Sequence, residues 1–159
     1  MKKIFIVLAL SIILLTGCGN TTEPDAELTE SNEQKRTEML EAGVMLYLTE
    51  MTNNFSSAYT IATTKEQRNE YLNKAITDIN LAVYEIEDKY EEGVPPTNEL
   101  FELAEKLKLT IDAGLEGDNN VAYDYSVETG EIIGRISREY LDGELPTAFK
   151  IMTGLDSAN

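Results

Sequence analysis

The chain has 159 residues, with 29 acidic and 13 basic side chains, one cysteine and no histidine. Without histidine it lacks the base of Ser–His–Asp and Cys–His catalysis, and with one thiol it lacks the usual ligand sets of zinc, haem and iron–sulfur sites. The formal charge of −16 also argues against a nucleic-acid partner, because such partners are held by basic patches.

The amino terminus has the layout of a secretory signal peptide. Lys2 and Lys3 are followed by an apolar run from Ile4 to Leu15 that is broken only by Ser11. The run is about 12 residues long, whereas a helix that spans a bilayer needs about 20. This pattern favours a cleaved signal over a permanent transmembrane helix.

The end of the apolar run is more specific. Leu15-Thr16-Gly17-Cys18 resembles the lipobox of bacterial lipoproteins, and the resemblance covers residues 1–20 only. It implies cleavage between Gly17 and Cys18 and a diacylglycerol on the Cys18 sulfur. The protein would then be anchored to membrane lipid on the outer face of a bacterial cytoplasmic membrane, with a Gram-positive cell favoured. Loss of residues 1–17 removes two lysines, so the formal charge falls from −16 to −18.

The mature chain divides into a tether and one domain. Residues 18–30 are predicted to be the lipidated cysteine and a flexible linker, since this stretch is polar and has little to bury. Residues 31–154 show the 3.6-residue apolar period of helices, and residues 155–159 are predicted to be a frayed tail. The sequence predicts an all-α fold, an antiparallel four-helix bundle that follows the signal peptide and the tether.

The first two helices are predicted over about residues 32–62 and 65–91. Ser31 and Thr64 each precede a glutamine by three residues, which is the spacing of a capping box. A single long helix through this boundary is the alternative, because nothing there breaks the backbone. Two apolar stripes support the helices: Leu40, Val44, Tyr47, Met51, Phe55, Ala58 and Ala62, and then Leu72, Ala75, Ile76, Ile79, Ala82, Val83, Ile86 and Tyr90.

Helix three is predicted over about residues 98–115. Gly93 and the Pro95-Pro96 pair end the preceding helix, and Thr97 or Asn98 then supplies the N-cap. The boundary between helices two and three is therefore firmer than the one between helices one and two.

Helix four is predicted over about residues 119–141, with Gly143 as its C′ glycine. Glu128 and Thr129 interrupt its apolar stripe. Beyond Pro146 a last short helical turn is predicted to pack on the bundle. Its apolar residues are Ala148, Phe149, Ile151 and Met152.

Few side chains indicate a ligand site. Tyr47, Tyr125 and Tyr140 fit core packing with the hydroxyl at the rim, and Tyr123 and Tyr125 on either side of Asp124 form the best candidate cluster. Three methionines on helix one fit gap-filling rather than a peptide groove. They are Met39, Met45 and Met51.

The oxygen-rich loop before helix four fits helix capping better than calcium binding, because it lacks the EF-hand spacing. Its oxygen-bearing residues are Glu116, Asp118, Asn119, Asn120 and Asp124.

These features predict a membrane-anchored, non-enzymatic helical domain that binds or assists a partner, which could be an envelope protein. No cofactor and no metal are expected. One alternative is an exclusion or immunity-type lipoprotein that blocks an incoming element or toxin, and this rests on analogy. Another is a carboxylate-based hydrolase, although with 29 acids no particular carboxylate pair stands out.

Overall fold

The structure, a computed structural model, describes residues 34–155. The predicted signal peptide, Gly17, Cys18 and the tether lie outside the described residues. The described chain is all-α, as predicted, and contains no strand beyond an isolated bridge between Arg36 and Tyr90. Its five helices are α1 (Glu41–Thr60), α2 (Lys65–Lys89), α3 (Thr97–Glu116), α4 (Asn119–Tyr140) and α5 (Thr147–Thr153).

The predicted start of the first helix is wrong. The helix begins at Glu41 instead of about residue 32, and its N-cap, Leu40, makes no side-chain capping bond. The residues before it are occupied elsewhere, because the Arg36 N–H donates to the Lys89 carbonyl at 2.7 Å and the Glu91 N–H donates to the Arg36 carbonyl at 2.9 Å. These main-chain bonds to the end of α2 replace the helical bonds that the capping-box pattern predicts.

The first two helices are separate rather than continuous. The Thr64 side chain accepts a hydrogen bond from the Gln67 N–H at 3.2 Å, so the predicted N-cap is confirmed. The reciprocal bond is shifted by one residue, since the Gln67 Oε1 accepts from the Thr63 N–H at 3.0 Å. The connection between the two helices is residues 61–64.

The later boundaries lie within two residues of the predicted ones. Helix α3 has Pro96 as its N-cap, so neither Thr97 nor Asn98 takes that role. Gly117, at φ 87°, ends α3 in the left-handed region that favours glycine, and Asp118 caps α4 by accepting from the Val121 N–H at 3.2 Å.

The core lies mainly where α1, α2 and α3 meet, and α4 packs on α3 and α5 on α1. Burial is uneven along α4, because its buried residues all lie at or beyond position 129. Its buried residues are Thr129, Ile132, Ile133, Ile136 and Ser137. Within residues 34–155, the helices are all too short or too polar to traverse a bilayer.

Candidate functional site

An apolar groove of about 490 Å³ runs between α1, α4 and α5. Its volume falls in the range of about 300–1,000 Å³ that is usual for small-molecule sites. The lining is mostly apolar or aromatic. The apolar and aromatic members are Phe55, Tyr59, Ala122, Tyr123, Val127, Phe149 and Met152.

The packing of α5 explains why the groove is there. Helix α5 contacts α1, but within the described residues it makes no close backbone contact with α4. The turn before α5 is set by the Ser137 hydroxyl, which donates to the Glu144 carbonyl at 2.6 Å, and by Gly143, which has a positive φ of 85°. Helices α4 and α5 therefore flank the C-terminal end of α1, and the groove lies between them.

The groove floor depends on small residues. A Cβ added to Gly114 would lie 3.4 Å from the Tyr59 hydroxyl, so the absent side chain gives the tyrosine its room. A Cβ added to Gly130 would meet nothing within 4 Å, because that glycine borders the open groove. Ser126, Thr129 and Thr153 add hydroxyl groups to the lining.

The charged group at the groove is Arg68, from the first turn of α2. It is half-buried, and its Nε is buried and donates to no acceptor among residues 34–155. The neighbouring Tyr59 is affected by it: burial raises the pKa of the Tyr59 phenol, and the positive charge of Arg68 partly offsets that rise. The described lining includes no carboxylate.

A second hollow, of about 250 Å³, lies between α1 and α2 and has the opposite character. Its lining includes Glu50 and Asp78, and the Asp78 Oδ2 accepts from the Asn54 Nδ2 at 2.6 Å. Burial raises the pKa of Glu50, and the nearby charges of Glu85 and Asp78 raise it further. This hollow is therefore a crowded carboxylate surface.

The candidate cluster of Tyr123 and Tyr125 does not form one site. Tyr123 is 68% exposed and lines the groove. Tyr125 faces α3, where the Lys106 Nζ lies 5.4 Å from its ring centroid. The two tyrosines are therefore assigned to different surfaces.

The other predicted tyrosines pack as expected. Tyr47 is buried against Tyr90, with ring centroids 6.4 Å apart in an edge-to-face arrangement. Tyr140 is half-buried, and its hydroxyl donates to the Glu99 Oε1 at 3.2 Å. Their hydroxyls lie at the edge of the core, which agrees with a packing role.

The three methionines belong to the core or its edge. Met39 and Met51 are buried and Met45 packs against the core, although Met39 precedes α1 instead of lying on it. In the loop before α4, Asp118 acts as a helix cap. Within residues 34–155 no group of three or more metal-ligating side chains comes together.

Sequence reasoning missed Arg68 and the contribution of Phe55 and Phe149 to the groove. Phe55 belongs to the apolar stripe of α1 and Phe149 to that of α5, so each reads as core in the sequence. The sequence did contain one signal for the groove. The apolar stripe of helix four is interrupted at Glu128, and the buried residues of α4 begin only after that position.

Comparison with known protein families, with curated proteins and with solved structures finds no match for this chain.

Proposed function

We propose that this protein is an extracytoplasmic lipoprotein, held to the membrane by an acylated Cys18, whose helical domain binds a partner in the groove between α1, α4 and α5. The location rests on the resemblance of residues 1–20 to a lipoprotein signal. The binding role rests on one observation, the open apolar groove with Arg68 at its edge. Protein pockets that bind ligands are typically apolar with a few polar groups that set orientation.

Several apolar side chains at the groove are exposed to water, which is unfavourable unless a partner covers them. Tyr123 and Val127 are 68% and 46% exposed, and they share the groove with Phe149 and Met152. Contiguous exposed apolar surface of this kind marks binding sites more often than scattered single residues do. A partner that covers it would remove apolar area from water, at about 25 cal/mol per Å².

The domain is proposed to be the antiparallel four-helix bundle that the sequence predicts, with α5 added to α1. Contacts between α3 and α4 support this order, because residues early in α3 meet residues late in α4. Tyr140 bonds to Glu99, whereas Thr110 lies against Thr129 with their hydroxyls 3.3 Å apart. The short connections at 61–64 and 117–118 also favour antiparallel neighbours.

The proposed tether joins the domain near the C-terminal end of α2, whereas the groove lies near its N-terminal end. Arg36 is bonded to Lys89 and Glu91 near the end of α2, whereas Arg68 lies in the first turn of that helix. At 1.5 Å per residue, Arg68 and Tyr90 are separated by about 33 Å along the helix axis. This separation would present the groove away from the point at which the tether joins the domain.

Anchoring is tested by metabolic labelling with palmitate in a bacterial host. We expect the full chain to incorporate the label and to fractionate with membranes, and Cys18→Ala to lose both properties. Ser11→Ala, which changes the apolar run but keeps the cysteine, is the matched control. Palmitate labelling that survived Cys18→Ala would contradict the anchoring proposal.

The groove is tested with an uncharged photoactivatable long-chain alcohol, added to the lipoprotein in phosphatidylcholine vesicles. We expect crosslinks to map to α4 and α5, and Gly130→Leu to reduce them because a leucine there projects into the groove. Gly130→Ala adds a single methyl group and should keep the crosslinks. Equal labelling of Gly130→Leu and Gly130→Ala, with both variants folded by circular dichroism, would remove the groove from the proposal.

A further inference from the structure

Arg68 differs from the other described cations in having a buried guanidinium donor, its Nε, that has no hydrogen-bond acceptor. Four of the described cations are in ion pairs with carboxylates. These pairs are Lys74–Glu70, Lys89–Glu85, Lys106–Glu128 and Arg135–Glu102. Arg68 is one of the described cations without such a pair, although the whole chain has 29 acidic residues.

The surroundings of Arg68 also lack a substitute for a carboxylate. Its Nε is buried without a hydrogen-bond acceptor, which is unfavourable for a donor. The groove lining offers it the Tyr59 ring and hydroxyl groups but no Asp or Glu. A guanidinium of this kind has unused donors in a planar fork, which matches a carboxylate or phosphate in two parallel bonds.

The rest of the groove favours an apolar ligand. From Arg68 the lining continues into the aromatic and aliphatic side chains of Phe55, Phe149 and Met152. A fully ionic ligand would leave this surface uncovered, and a purely apolar ligand would leave the positive charge of the Arg68 guanidinium without a counter-ion. A molecule with an anionic head and an apolar body satisfies both parts.

We propose, building on the proposed binding function, that the groove binds a single-chain carboxylate amphiphile of the fatty-acid type, with its head group on Arg68 and its chain against Phe55, Phe149 and Met152. The overall negative charge of the domain repels anions, so a dedicated positive group is needed to hold the head. The half-buried position of Arg68 makes this attraction less screened by salt than an exposed ion pair would be.

The test uses two photoactivatable probes that share one twelve-carbon chain and differ only in the head group, a carboxylate and an alcohol. The full lipoprotein is labelled in phosphatidylcholine vesicles at mildly alkaline pH, and crosslinked peptides are mapped by mass spectrometry. We expect the carboxylate to label α5 and the first half of α4 about tenfold more efficiently than the alcohol. Labelling is normalised to the amount of each probe in the vesicles.

Arg68→Gln should remove the preference for the carboxylate while leaving labelling by the alcohol unchanged. Lys65→Gln is the matched control, because it removes the same charge one turn earlier on α2 but does not line the groove. Arg68→Lys should restore part of the preference, since it keeps the charge but loses the planar fork. Unfolding midpoints of all three variants show that the domain is intact.

The outcomes separate this inference from the function on which it rests. Equal labelling by both probes, unaffected by Arg68→Gln, would overturn the anionic head group while leaving an apolar binding groove. In a separate labelling with a phosphate on the same twelve-carbon chain, preference for the phosphate over the carboxylate would also overturn the ligand class proposed. If labelling falls as the protein-to-lipid ratio rises, a second copy covers the groove and the inference is wrong. If neither probe labels the groove, the proposed binding function itself is wrong.

Discussion

The two halves of α4 differ in burial. The half from Thr129 onward places isoleucines in the core, whereas residues 119–128 bury no side chain and form a groove wall. Both halves are helical and of similar length. The difference shows that a helix can be held by one half of its length while the other half lines an open groove.

The cause is the partner that each half meets. The second half packs on α3, with Arg135 paired to Glu102 and Tyr140 bonded to Glu99. The first half meets α3 at Lys106, which pairs with Glu128 and lies over the Tyr125 ring, and its groove side faces the space beside α5, which packs on α1 instead. Because most helix stability comes from tertiary packing, we expect substitutions in the two halves to have unequal effects.

The largest difference is expected from side-chain truncation. Ile133→Ala should lower the free energy of unfolding by about 2–5 kcal/mol, because Ile133 is fully buried and its loss leaves a cavity. Val127→Ala, in the groove wall, should change it by less than about 0.5 kcal/mol. Chemical denaturation followed by circular dichroism measures both values. Similar losses in the two variants would mean that the first half also belongs to the core.

The hydroxyls of Thr110 and Thr129 meet at the border between the halves of α4, and removing one should cost more stability than removing the other. Thr110→Val should cost about 1–3 kcal/mol, because the buried Thr129 hydroxyl then loses its partner at 3.3 Å. Thr129→Val should cost less, since the Thr110 hydroxyl still donates to the Lys106 carbonyl at 2.8 Å. A double-mutant cycle in denaturant gives the coupling between them. Equal losses from the two single variants would contradict this bonding pattern.

The glycines of α4 provide a finer comparison. Gly130→Ala should raise the free energy of unfolding by about 0.5–1 kcal/mol, because alanine is the better helix former and its Cβ meets open space. Gly134→Ala should gain less, since its Cβ would lie 3.1 Å from an Arg138 guanidinium nitrogen that must move aside. Thermal unfolding of both variants shows which of the two gains more stability. A loss of stability in Gly130→Ala would show that the groove is closed at this position.

The smallest effect is expected from charge, and it contrasts the exposed face of α4 with the carboxylate surface of α1 and α2. The pKa of Glu50 is raised in the folded protein, chiefly by burial, so the charged form opposes folding at neutral pH. Glu50→Gln should therefore stabilise the domain at pH 7. That advantage should disappear below about pH 4, where glutamate is protonated in both states.

Glu131→Gln makes the same chemical change on the exposed face of α4 and is the control for Glu50→Gln. Denaturation at a series of pH values compares the two variants. A stabilisation by Glu50→Gln that persisted at low pH would mean that the effect comes from packing rather than charge.

Much of the fold follows from the sequence because its signals are local. The Thr64 cap, the Gly117–Asp118 boundary and the stripes of α1 to α3 depend on residues within one or two turns. The start of α1 was mispredicted because its cause is not local: Arg36 bonds to Lys89 and Glu91, more than 50 residues away.

The groove was harder to predict for the same reason. Phe55 and Phe149 have the spacing of core residues, and only the packing of α5 on α1 leaves them beside an opening. Arg68 has the sequence context of any charged residue in the first turn of a surface helix. Its lack of a carboxylate partner becomes visible only when the surrounding helices are in place.

The main-chain bonds of Arg36 have a mechanical consequence. If the domain hangs from Cys18, tension in the tether reaches residues 34–40 first, and the bonds from Arg36 to Lys89 and Glu91 pass the load to the end of α2. The first turn of α1, which has no side-chain cap, is thereby shielded from the pull. In that arrangement a pull on the proposed tether would load the C-terminal end of α2, about 33 Å along the helix axis from Arg68, before it reached α1.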